Sequence, residues 1–210
     1  MGGYMRLSIA LATMLMLGTA SVPALAQNDL YDNGPTNGTI DAWNINEGVV
    51  TSDSFNLTSS STVNGLNFAA WLEPGDVLES AEISLTSLEL GGITFFDQTV
   101  NFTQSGCVLN QLGFNVCNET GSFPGVAMNA GTYWLNIGNA VVNTGDPVYW
   151  DENDGSSSAS HNQEGTLPSE SFTILGSSSS GTGTTPEPGS LLLFASGVAA
   201  LWGVVRRKLL

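Results

Sequence analysis

Between residues 27 and 185 the chain has no lysine and no arginine. Its four basic residues, Arg6, Arg206, Arg207 and Lys208, stand near the two ends, while eighteen of its nineteen acids lie in the body between them. No carboxylate of the body can form a Lys or Arg salt bridge within it. A surface of this sign repels polyanions, which argues against nucleic acid and anionic lipid headgroups as partners and leaves neutral glycans and divalent cations open. Histidine is nearly absent too. His161 is the sole one, and its serine-rich surroundings read as a solvated loop that gives no nucleophile, base and acid set. No catalytic residue is assigned, so the domain reads as non-enzymatic.

Cysteine is limited to Cys107 and Cys117. Their spacing is no CxxC and no second pair or histidine stands nearby, so metal and redox roles are disfavoured against a disulfide formed in an oxidising compartment. The ends of the chain argue for such a compartment. Arg6 precedes an apolar run over residues 7–17, and Ala24-Leu25-Ala26 supplies small residues before Gln27, the pattern of a cleavable signal peptide spanning 1–26. At the other end residues 191–205 carry no charge, and with Gly189 and Ser190 they reach the length of about 17 residues that a membrane-crossing helix needs. Arg206, Arg207 and Lys208 follow at once, which places that end in the cytoplasm and the body outside.

Immediately before the apolar stretch stand Pro186, Glu187 and Pro188. This order of tripeptide, apolar helix and basic cluster over residues 186–210 resembles the PEP-CTERM sorting signal recognised by bacterial exosortases. The resemblance implies a protein exported by signal peptidase and the secretion machinery and held in the inner membrane by its C-terminal helix. An exosortase-type membrane peptidase then processes it, in Gram-negative bacteria that make exopolysaccharide, and the product goes to the cell surface or extracellular matrix. Three further stretches, residues 30–34, 130–135 and 146–153, resemble a lineage of uncharacterised PEP-CTERM proteins and donate no site.

The body, residues 27–175, has the length of one domain, followed by a Gly/Ser/Thr linker over 176–185. Strict alternation marks strands. In residues 66–72, Leu66, Phe68, Ala70 and Leu72 face one way and Asn67, Ala69 and Trp71 the other; residues 81–86, 94–102 and 132–137 repeat the pattern, and a strand at 171–175 closes the domain. Shorter strands are expected at 40–45, 49–57, 141–142 and 147–150, and residues 154–165 read as a polar loop. The expected fold is all-β, a two-sheet antiparallel sandwich of jelly-roll type, flanked by the signal helix and the transmembrane helix.

Two sites are expected on this frame. Trp71 and Trp134 lie opposite the aliphatic faces of their strands and would form an exposed platform for sugar rings, although tryptophan in a sandwich more often packs in the core. Asp151, Asn153 and Asp154 form the densest run of oxygen ligands and point to calcium, although a solvated acidic loop is the commoner use and the spacing is not that of an EF-hand. Four Asn-x-Thr sequons at Asn37, Asn56, Asn101 and Asn118 read as ordinary turn and strand residues in a bacterial chain. The function this supports is a surface or matrix protein that binds exopolysaccharide. The alternative is a secreted glycan-active hydrolase, because many acids leave a carboxylate pair open.

Overall fold

The computed structural model describes residues 27–39 and 41–178. The signal peptide, the sorting signal with its apolar helix, and most of the linker lie outside them. The described residues form twelve strands and no helix. The first six are β1 (Asn28–Asp32), β2 (Ala42–Asn44), β3 (Val50–Leu57), β4 (Ser61–Leu72), β5 (Leu78–Leu88) and β6 (Gly91–Leu109). They are followed by β7 (Asn115–Met128), β8 (Gly131–Val142), β9 (Tyr149–Asp151), β10 (Ala159–His161), β11 (Gly165–Leu167) and β12 (Phe172–Ser178).

The antiparallel all-β architecture agrees with the sequence. Its connectivity is more specific: the strands form one continuous sheet in the order β1-β12-β4-β7-β6-β5-β8-β3-β10-β11, with β9 beside β4 and β2 beside β9. The joint is β6. Its first half, up to Asn101 opposite Ser80, pairs with β5, and its second half, from Phe102 opposite Gly121, pairs with β7. The sheet therefore doubles over at β6 and curls like half a barrel. Gly121 permits the handover, since a Cβ there would stand 2.6 Å from the Phe102 ring.

The main core lies between the two halves of the sheet. Leu66, Phe68 and Ala70 of β4 and Phe172 of β12 share a cluster with Ile83 and Leu85 of β5 and Leu135 and Ile137 of β8. The edge strand β1 also meets the other half of the sheet, with the Tyr31 ring 6.2 Å from the Phe55 ring of β3. Burial of these side chains supplies the main driving force, on the order of 1.5–3 kcal/mol for each large aliphatic or aromatic one. The alternation seen in the sequence is thus the inward face of β4, β5 and β8.

The sequence does not foretell β7, because Gly121, Pro124 and Gly125 read as turn residues. Pro124 sits where the β4–β7 register shifts, between Ser122 opposite Gly65 and Val126 opposite Val63, so its missing N–H interrupts no regular ladder. Residues 154–165 are not wholly loop: β10 lies within them and pairs with β3.

Cys107 and Cys117 form a disulfide between the neighbouring strands β6 and β7. Closing this short loop contributes about 2–3 kcal/mol in the chain-entropy model. Replacing both cysteines by serine is expected to lower unfolding stability by that amount in denaturant titration. Native protein without reductant is expected to take up no thiol reagent, and labelling of both cysteines in folded material would contradict the bridge.

Candidate functional site

The most unusual chemistry of the domain is an acidic centre with no base in reach. Asp53 points inward from β3 and is fully buried, and its Oδ2 accepts hydrogen bonds from the Glu170 amide (2.7 Å) and from Ser157 Oγ (2.8 Å). Asn33 Nδ2 ties the cluster together by donating to Ser169 Oγ (2.8 Å) and to the Glu170 carbonyl (2.6 Å). Burial pushes the Asp53 carboxyl up to about 7, against the lowering effect of its hydrogen bonds from Glu170, Ser157 and Ser54. Glu170 is pushed well above the usual carboxylate range, first by burial and then by the charges of Asp53, Glu152, Asp151 and Asp41. Neither of its carboxyl oxygens has a hydrogen-bond partner among the described residues. Glu119, buried on β7, is likewise raised to about 7 by burial. These acids are sealed from solvent.

Asp151 and Asn153 belong to the same centre and are occupied there. Asp151 Oδ1 accepts from Trp71 Nε1 (2.6 Å) and the Gly38 amide (2.9 Å), and its Oδ2 accepts from the Asn37 amide (3.0 Å). The carboxylate thus pins the loop around residues 37–38 onto β4. Asn153 Nδ2 donates to the Asn33 carbonyl, and its Oδ1 accepts from Ser169 Oγ and the Gly155 amide, each at 2.9 Å. Asp154 is exposed. The three residues do not converge, and among the described residues no group of three or more His, Cys, Asp or Glu is placed to hold a metal.

The two tryptophans do not make a platform. Trp71 is only 3% exposed, in a second cluster with Ala69 and Val116, its ring 5.8 Å from that of Phe114. It does face away from the aliphatic side of β4, but that side of the sheet is covered as well. Trp134 is half-buried on β8, in the other half of the sheet. His161 is no loop residue either: it is buried on β10, its Nδ1 accepts from the Glu164 amide (3.2 Å), and burial lowers its basicity.

The outward face of the half formed by β5, β8, β3 and β10 is organised differently. The cross-strand register puts six polar residues abreast: Thr166, Ser160, Ser52, Asn136, Ser84 and Asp97 on β11, β10, β3, β8, β5 and β6 in turn. Part of this row opens into a groove of about 370 Å³ whose lining includes Glu82, Ser84, Thr86, Thr94, Asp97 and Asn136. Asn136 Nδ2 donates to Ser84 Oγ (3.1 Å) and Thr86 Oγ1 (2.9 Å). At the rim Asn139, in the left-handed region at φ 46°, donates to Glu82 Oε2 (2.6 Å). Each of these residues is an ordinary outward position of a strand. Only the register reveals the row.

Residues 184–208 match the model of the PEP-CTERM protein-sorting motif. The chain carries a PEP-CTERM sorting signal. No curated protein matches it. The match covers Pro186, Glu187 and Pro188, the apolar stretch and the Arg206, Arg207 and Lys208 cluster. A PEP-CTERM signal implies export, a membrane-anchored sorting step at this end, and processing by exosortase-type machinery. Export places the β domain outside the cytoplasm, with the groove open on its surface and the acidic centre buried.

Proposed function

We propose that this PEP-CTERM protein is a cell-surface or extracellular-matrix component whose β domain binds exopolysaccharide without cleaving it. The fold is read as a jelly-roll type of sandwich whose two layers are joined through β6. One observation carries the binding reading: an exported domain without a single Lys or Arg presents a polar groove to the outside. Such a surface disfavours anionic macromolecules and matches hydroxyl-rich, uncharged ones. The acids most displaced in pKa, Asp53, Glu119 and Glu170, are fully buried, beyond the reach of a polymer.

A hydrolase remains the second reading, and one feature favours it. Glu82 and Asp97 both line the groove from the adjacent strands β5 and β6, diagonal to one another since Glu82 faces Thr99 and Ser84 faces Asp97. The readings separate when the exported chain is incubated with polysaccharide from the producing strain. A binder is retarded in a gel containing the polymer and generates no new reducing ends. Reducing ends that appear with wild type and vanish with Glu82→Gln would establish the hydrolase. Neither retardation nor cleavage would refute both readings.

A further inference from the structure

We infer that the binding site is the row crossing β6, β5, β8 and β3 on the outward face, and that its ligand is an uncharged glycan chain lying across the strands. This rests on the polysaccharide-binding function proposed above and names the site and the chemistry for it. The four strands β6, β5, β8 and β3 span about 14 Å at the usual interstrand spacing. A chain laid across the groove meets Asp97 of β6 and Glu82 and Ser84 of β5 at the surface, while Asn136 of β8 and Ser52 of β3 lie buried beneath it. An extended peptide would instead need an open sheet edge or apolar pockets, whereas among the described residues Val50 and Leu90 are the only large apolar side chains lining the groove.

The hydrogen-bonding polarity of the row suits sugar hydroxyls, which both donate and accept. Ser84 Oγ already accepts from Asn136, so its own proton remains to donate. The exposed carboxylates of Asp97 and Glu82 accept, and Asn139 holds Glu82 in place. Asn136, which lines the groove, has its Oδ1 buried without a partner among the described residues. A water bridging from a bound hydroxyl would satisfy it. The same two carboxylates, with no cation in the body, repel uronate or sulfated chains.

Affinity electrophoresis of the full chain tests this with dextran, a galactomannan and polysaccharide from the producing strain as neutral probes, and alginate as the polyanion. Retention is expected on at least one neutral probe and not on alginate. Asp97→Ala and Ser84→Ala are each expected to weaken it about three- to tenfold, the size of one or two hydrogen bonds. Asp97 is exposed, so that variant keeps its fold, while Glu73→Ala, exposed elsewhere, is expected to bind as wild type. Variants at positions 84 and 97 retained like wild type would overturn the site and leave polysaccharide binding standing. Preference for alginate would overturn the ligand class. No retention on any probe would overturn the function together with the site.

Discussion

Raising the pH from 4.5 to 8 is expected to lower the unfolding temperature of the β domain, on the order of 20 °C. Asp53 and Glu119 titrate at about 7 in the folded chain, against ordinary values of 3.8 and 4.5, and Glu170 lies well above its ordinary 4.5. Between those limits the folded state holds protons that the unfolded chain has released. Stability therefore falls as pH rises, by about 1.4 kcal/mol per pH unit for each such group, and the Asp53 and Glu119 contributions are fully lost once pH passes about 7. The stabilisation is complete below the unfolded values. Proteins rich in ion pairs behave in the opposite way, but this body has no Lys or Arg to pair with.

Glu170→Gln isolates the buried term. It removes the ionisable carboxyl that must take up a proton on folding and keeps the shape. At pH 8 it is expected to raise the unfolding temperature by several degrees, with little change at pH 4.5. Glu73→Gln, which removes one exposed charge, controls for general repulsion among the acids. Thermal scans by circular dichroism give both curves. A melting temperature that is flat or rises from pH 4.5 to 8 would show that these carboxyls are not held protonated.

Such a centre was hidden in the sequence for a physical reason. Acids without bases suggest solvation, and burial of Asp53 and Glu170 depends on Asn33, Ser157 and Ser169 arriving from distant segments. The inward faces were legible, because Leu66, Phe68 and Leu72, or Leu135 and Ile137, alternate within one strand and need no knowledge of partners. Trp71 shows the limit of that rule. Alternation says which way a side chain points and nothing about what covers it, and its cover includes Phe114 and Asp151, the latter 80 residues away. The polar row is illegible for a related reason, since a one-residue slip in any of its pairings would dissolve it. The sorting signal is different: its three parts are contiguous, and each acts through local chemistry.

Loss of Glu187 is expected to have the larger biological effect. In the topology we propose, the apolar stretch stops translocation and the three bases hold its end in the cytoplasm, which leaves Pro186-Glu187-Pro188 at the outer face within reach of a membrane peptidase. Glu187→Ala leaves the anchor intact, so full-length protein is expected to accumulate in the inner membrane. Deleting residues 191–210 removes the anchor itself and is expected to release the domain unsorted into the periplasm or medium. The two phenotypes differ in place as well as in length. Membrane fractionation separates them directly.

The most direct measurement of sorting is the C-terminal mass of the exported protein, taken by mass spectrometry from wild type and Glu187→Ala cells. Wild-type protein from the surface or matrix is expected to end near Pro186-Glu187-Pro188 without the Arg206, Arg207 and Lys208 cluster, while the variant keeps Leu210 and stays in the inner membrane. Surface protein that retains Leu210, or identical processing of both chains, would contradict sorting through the PEP-CTERM tripeptide and leave the tail a plain membrane anchor.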